Sequence, residues 1–410
     1  GDIEQGISIT AGNFYELFGR GMILKSYEDR NIRIDNNLLG VKVKANYMGF
    51  TLAALTGSAS NSVNERKDIL HAADLSYNGF DYIKLGTTFA SNKPDIETIA
   101  RTTLTSFRIQ PSYWNFDGYA EYGFKGNKDV QSQIFNDEEW KIGEAFYGSL
   151  NFYYDAFSIV GEYKYYDNFA FTSNDGTIFY NTSPSLRKEY TYQLLNRHPS
   201  PLDQSNEEGY AVEVNYSFSD ETAVTANYGV TKTLPTSSFY QRVNNISIPI
   251  ATQLQEFYLQ AQHNWNKSFS TIAAFGYNEE LSSNTKNITP ILENKFYFDD
   301  INTIKLVLEH QQTENLTTNE KYYDDVIAIE YLRSPNFNVS LVTEIQTKEP
   351  EEGKTIRKVW SFVQFGYKLG NHSDLSLLIG SRQAGNICIG GICRFEPAFQ
   401  GIELKMLTRL

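Results

Sequence analysis

The amino-acid sequence predicts an all-β fold, a transmembrane antiparallel β-barrel, and three observations carry that prediction. The first is alternation of apolar and polar residues over stretches of strand length. The second is the regular spacing of short turns and longer polar connections. The third is an aromatic content of 14%, with Tyr 28 and Phe 27 against Trp 4, in a chain whose mean hydropathy is −0.42.

Alternation is clearest where Tyr210, Val212, Val214, Tyr216 and Phe218 interleave with Ala211, Glu213, Asn215 and Ser217. The same period of two places Val41, Val43, Ala45 and Tyr47 against Lys42, Lys44 and Asn46. Successive strand side chains point to opposite faces, so each segment has one apolar and one polar face. The apolar face must meet lipid, where an exposed Arg or Lys costs about 2–4 kcal/mol at the bilayer midplane. The polar face, with Lys42, Lys44, Glu213, Asn215, Glu403, Lys405 and Arg409 among its members, then faces the lumen. Tyr and Phe near strand ends, such as Phe152, Tyr154, Tyr163, Tyr165, Phe365 and Tyr367, are expected to form interfacial girdles. No apolar run reaches the roughly 18 residues a membrane helix needs, whereas a barrel strand needs only about 9–11.

Tight turns are expected near Met48-Gly49, Phe116-Asp117-Gly118, Asp155-Ala156 and Gly370-Asn371. Between such turns lie longer polar stretches, the longest at 172–208. Short and long connections therefore alternate, as short periplasmic turns and long extracellular loops do in outer-membrane barrels. Counting hairpins, with a first strand near 7–14 and a last near 399–410, gives about 20 strands and a single barrel over residues 1–410. The last strand alternates Ile402, Leu404, Met406 and Leu410 with Glu403, Lys405 and Arg409. It ends on an outward apolar residue, which resembles the C-terminal signal that barrel assembly machinery recognises.

With 36 Lys+Arg against 49 Asp+Glu the formal net charge is −13, which argues against a nucleic-acid partner. The five histidines are scattered, without metal-ligand spacing, and a Gly-x-Ser-x-Gly elbow is absent. No cofactor, metal or catalytic set is therefore expected. Asp137-Glu138-Glu139 and Asp324-Asp325 read as solvated loop acids rather than calcium ligands.

Two motifs stand out. Cys388-Ile389-Gly390-Gly391-Ile392-Cys393 reads as a hairpin around a Gly-Gly turn. Its cysteines fall at a non-hydrogen-bonded pair, close enough for a disulfide, which is preferred over free thiols or a metal or redox role. The second motif, 13–35, is too long for one strand and too glycine-rich for a regular helix. It crowds Arg20, Lys25, Glu28, Asp29, Arg30, Arg33 and Asp35 together. It is expected to fold into the lumen and brace or constrict it, the alternative being a solvated extracellular loop.

Gly12-Asn13-Phe14-Tyr15-Glu16-Leu17-Phe18-Gly19-Arg20-Gly21, Tyr27-Glu28-Asp29-Arg30, Asp35-Asn36 and Gly391-Ile392-Cys393-Arg394 before Pro397 resemble an uncharacterised outer-membrane β-barrel family of the Bacteroidetes and related bacteria. The resemblance covers most of the chain. It implies a bacterial outer-membrane location and further strands ahead of residue 1, and it transfers no catalytic role. Three functions follow as expectations. The first is a transport or diffusion channel for small solutes. The second is a scaffold docking envelope proteins or lipoproteins through an extracellular loop at 172–208, where Tyr180, Pro184, Tyr190, Tyr192, Pro199 and Pro201 give an ordered contact surface. The third, an outer-membrane enzyme, would require a lipid-facing Ser–His pair that no motif announces.

Overall fold

In a computed structural model the described residues are 6–29, 34–61, 65–93, 101–127, 141–186, 188, 190–197, 205–234, 253–281, 283–349, 357–370, 373–389 and 392–408. The fold is all-β. Twenty long strands make one antiparallel sheet, and the described helical content is a single turn at Gln193–Asn196. The chain divides into two compact units. The first comprises Gly1–Arg187, Leu202–Val212 and Gly229–Gln253; the second comprises Lys188–Pro201, Glu213–Tyr228 and Leu254–Leu410.

In the first unit, strands Gly6–Phe14, Leu38–Tyr47, Phe50–Ala59, Ile69–Tyr77, Ile83–Lys93, Thr102–Tyr113, Phe116–Asn127, Lys141–Tyr154 and Phe157–Asp167 pair successively. In the second, Gln253–Asn266, Phe269–Glu280, Thr285–Tyr297, Asn302–Asn315, Lys321–Arg333, Phe337–Gln346, Val359–Leu369, Ser373–Arg382 and Phe399–Thr408 do the same. Many of the strands sort their residues opposite to a water-soluble sheet. In Lys321–Arg333, Asp324, Val326, Ala328 and Glu330 are buried, while Ile327 and Ile329 are 46% and 45% exposed. In Thr102–Tyr113, Leu104, Ser106 and Arg108 are buried and Phe107 and Ile109 exposed. Outward apolar and inward polar side chains are what a lipid solvent selects.

Tight hairpins join the strands at one end. Met48 (φ 48) and Gly49 (φ 83) are both left-handed, as a two-residue turn matched to strand twist requires. The turn expected at Phe116-Asp117-Gly118 falls instead before that strand, at Trp114 (φ 53). Phe116 stands opposite Phe152 with ring centroids 4.7 Å apart, and this cross-strand contact outweighs the turn propensity of Asp-Gly. Further ring pairs, Tyr82 with Tyr113 and Phe269 with Phe296, sit at the same kind of strand end.

Of the rings expected to form a docking surface in 172–208, Tyr180, Tyr190 and Tyr192 are turned inward, while Asn174 to Thr177 and Phe179 are exposed. Ile178, Tyr180, Leu186, Tyr190, Tyr192, Leu194 and Leu195 are buried, and most lie against inward strand residues within their own units. The physical reason lies in the inner faces themselves, which carry small or apolar residues at intervals and so offer a floor for rings. Pro199 and Pro201 lie outside the described residues.

Candidate functional site

In the first unit the inner face is covered by two parts of the chain, 14–29 and 168–186. Leu17–Phe18 pairs with Leu24–Lys25, making a small hairpin whose apex is Gly19-Arg20-Gly21. Both glycines are left-handed, at φ 56 and φ 86, which other residues adopt at a cost. Behind the apex, Met22, Ile23 and Leu24 are 1% exposed or less. They rest on a floor of small residues: a side chain at Gly123 would come within 2.8 Å of Phe169 and 3.1 Å of Met22, and Ala53, Ala72, Ala90 and Ala145 are buried nearby in the same cluster. The second covering part is strapped to the first. Asn181 donates to the carbonyls of Met22 (3.0 Å) and Phe169 (2.9 Å), Lys25 N–H donates to Tyr180 O, and Thr182 N–H donates to Gly21 O.

Charge sets the rest of this arrangement. Glu16 receives Lys42 and Lys44, each at 3.0 Å, and Lys42 also donates to Tyr15 O. Arg20 donates to the Tyr147 hydroxyl at 3.0 Å and lies over the Tyr119 and Tyr147 rings, 4.7 and 5.4 Å from their centroids. Tyr147 donates onward to Glu162, and Tyr119 to Glu121, which also accepts from Ser106 at 2.6 Å. Arg108 grips Asp74 with two nitrogens (2.5 and 2.8 Å) and donates to Thr88. Lys164, fully buried, donates to Glu207 and to Pro184 O. Asp35 accepts from Tyr15 (2.9 Å) and from both nitrogens of Asn37. Partial burial pushes its carboxyl up, but the bonds from Asn37 and Tyr15 outweigh this and hold it below its ordinary value. Lys25 lies 4.7 Å over the Tyr27 ring. Glu28 is exposed, and Asp29 is described only as a backbone partner of Ile34. Arg30 and Arg33 lie outside the described residues.

The second unit has its own covering segment, 188–197. The backbone N–H groups of Gln193 and Leu194 donate to the two oxygens of Glu309, at 3.0 and 2.8 Å. Arg197 binds Glu344 with both terminal nitrogens and lies 3.8 Å from Asp324. Tyr190 packs on Tyr258 at 4.4 Å, and Leu195 occupies the space a side chain at Gly276 would need. Sequence reading missed Arg197, Glu309 and Glu344. Asp324 and Asp325 are strand neighbours on opposite faces: Asp324 is buried beside Arg197, whereas Asp325 is half-exposed beside His310 (2.6 Å). They cannot share an ion. Glu213 pairs with Lys188, and Asn215 bonds Glu213 and Thr225. Glu403 and Lys405, both partly exposed, join buried Arg382 and Glu396 in one network; Arg409 lies outside the described residues.

Cys388 and Cys393 stand opposite one another in the ladder of Gly385–Ile389 with Ile392–Glu396. Their side chains lie outside the described residues, so the bond itself remains a proposal. Among the described residues no group of three His, Cys, Asp or Glu could hold a metal, and no serine hydroxyl bonds a histidine.

An all-β sheet of twenty strands with an apolar outer face and a charge-paired, chain-covered inner face defines an outer-membrane β-barrel. The chain belongs to the family described as a family of unknown function (DUF6029), whose model matches residues 3–410. No curated protein matches it. Among solved structures it is similar to the siderophore receptor PirA from Acinetobacter baumannii (9% identity, 90% of this chain and 71% of that one, TM-score 0.42). It is also similar to the copper transporter OprC (8%, 98% and 71%, TM-score 0.41). The KdgM porin aligns with 43% of this chain and 86% of its own, at 13% identity and a TM-score of 0.23.

Proposed function

We propose that this protein is a bacterial outer-membrane channel for small solutes whose lumen is occupied at rest by its own chain. The observation that carries this reading is the seating of 14–29: Met22 to Leu24 are excluded from solvent on the inner face and strapped down by Asn181. A polar inner face alone is common to large barrels, but a covered one argues against a permanently open pore. The covering is held by neutral hydrogen bonds and by ion pairs such as those of Glu16, interactions that a bound solute or a partner could replace. The scaffold reading loses part of its support, because Tyr180, Tyr190 and Tyr192, three of the rings that suggested a contact surface in 172–208, are buried.

Single-channel recording of the purified full chain tests the proposal. The native protein should show brief, small openings, and a Glu16→Ala/Asn181→Ala double variant should dwell open much longer. A large, steady conductance in the native protein would sink the idea of a resting occupant. Absence of current in every variant would move the weight back to a non-conducting barrel.

A further inference from the structure

The contacts of Arg20 point beyond a brace. We propose that Tyr119, Tyr147, Glu121 and Glu162 form a binding site for guanidinium-bearing cationic solutes, which Arg20 fills in the resting protein. The inference rests on the channel reading and gives that channel a substrate class.

Three features support a site that accepts an exchangeable ligand. The first is its chemistry. Two phenol rings present π faces at 4.7 and 5.4 Å from the guanidinium carbon, and one phenol oxygen accepts at 3.0 Å. This is how proteins recognise planar cations. The carboxylates stand behind the phenols: Glu162 accepts from Tyr147, and Glu121 from Tyr119. Among the described residues no carboxylate lies within ion-pair distance of Arg20. The cation is therefore attracted by two negative charges without being locked into a bidentate pair, unlike Arg108 on Asp74 or Arg197 on Glu344.

The second feature is preorganisation. Tyr119 is held by Glu121, Glu121 by Ser106, and Tyr147 by Glu162, and none of these bonds involves Arg20. The Arg20 side chain can leave with these three bonds intact. The third is the mounting of Arg20. It is the apex of a two-strand hairpin between left-handed glycines, and Gly19 is bare toward Glu121, where a side chain would come within 2.8 Å. Withdrawing the apex requires release of the Thr182 N–H bond to Gly21 O, but the hairpin belongs to its own two-stranded ladder and not to the twenty-stranded sheet.

The test uses the full-length protein in detergent and in planar bilayers, with L-argininamide as cationic probe and N-methylurea as its neutral planar counterpart. In Arg20→Ala, calorimetry should show saturable binding of argininamide and none of methylurea. The native protein should bind argininamide far more weakly, because its own side chain competes. Adding Tyr147→Leu to Arg20→Ala should weaken binding about 2- to 5-fold, the worth of one cation–π contact. Arg20→Met, which keeps the stem, replaces the alanine variant if that one fails to fold. No saturable binding in either vacated variant, or equal binding of methylurea, overturns the proposal. Binding without any current would uphold the site and defeat the channel reading; current without binding would do the reverse.

Discussion

Arg197 holds Glu344 at the inner face of its unit, with Asp324 3.8 Å away and Glu309 taken by two backbone amides of the same segment. Removing one partner of such a buried pair leaves a charge without compensation, at a cost of roughly 3–5 kcal/mol. Arg197→Leu should lower the unfolding temperature of the detergent-solubilised protein, and adding Glu344→Gln should recover part of the loss. An unchanged melting curve for the single variant would show the pair to be idle. Asp35 gives a pH-dependent case. Its carboxyl is held below the ordinary value of 3.8, so its clasp on Tyr15 and Asn37 is fully present above that value and is lost as pH falls through the lower folded one. Hydrogen exchange at Tyr27 and Asn36 should therefore quicken only in strongly acidic solution, and Tyr15→Phe should move the onset to higher pH. At this scale little was legible in the sequence. Nothing in a linear pattern distinguishes buried Asp324 from half-exposed Asp325 until the strand's facing is known.

Elements divide into those whose pattern lipid dictates and those it does not. The strands were legible because the outer face must be apolar, which imposes a period of two wherever a strand spans. The covering segments have no period, since their rings are buried against a surface rather than by alternation. Their trace in the sequence is indirect: Gly123, Ala145, Ala90, Ala72 and Ala53 are small residues on faces that otherwise carry polar side chains. The crowded charges and glycines of 13–35 and the rings and prolines of 172–208 drew attention to these segments, but not to the faces they cover. Gly123→Val should overfill the floor beneath Met22 and Phe169, at about 1–3 kcal/mol, and expose 14–29 to protease. Gly161, with nothing within 4 Å, is the control: Gly161→Val should leave the digestion pattern as it is. For the Cys388–Cys393 hairpin we expect both thiols to resist alkylation until reduced. Reduction should cost little, because the ladder already joins the two strands and the closed loop is short.

Across the whole molecule, the outward residues define a surface that only lipid suits. Ile402, Leu404 and Met406 are 72%, 67% and 62% exposed, while Glu403 and Lys405 between them are engaged inward. Leu404→Lys should destabilise the folded protein in lipid vesicles, by up to about 2–4 kcal/mol, the midplane cost, and lower its folding yield. A conservative Lys405→Arg should be tolerated. Equal yields would mean that this strand does not face lipid. The order of the chain adds a matter of timing. The 14–29 hairpin is made directly after the first strand, yet its floor includes Gly123, and its strap, Asn181, comes some way further on. Until those later residues arrive, Met22-Ile23-Leu24 is an apolar tripeptide without a home, exposed in the unfolded precursor. Such a stretch invites aggregation until its floor is assembled.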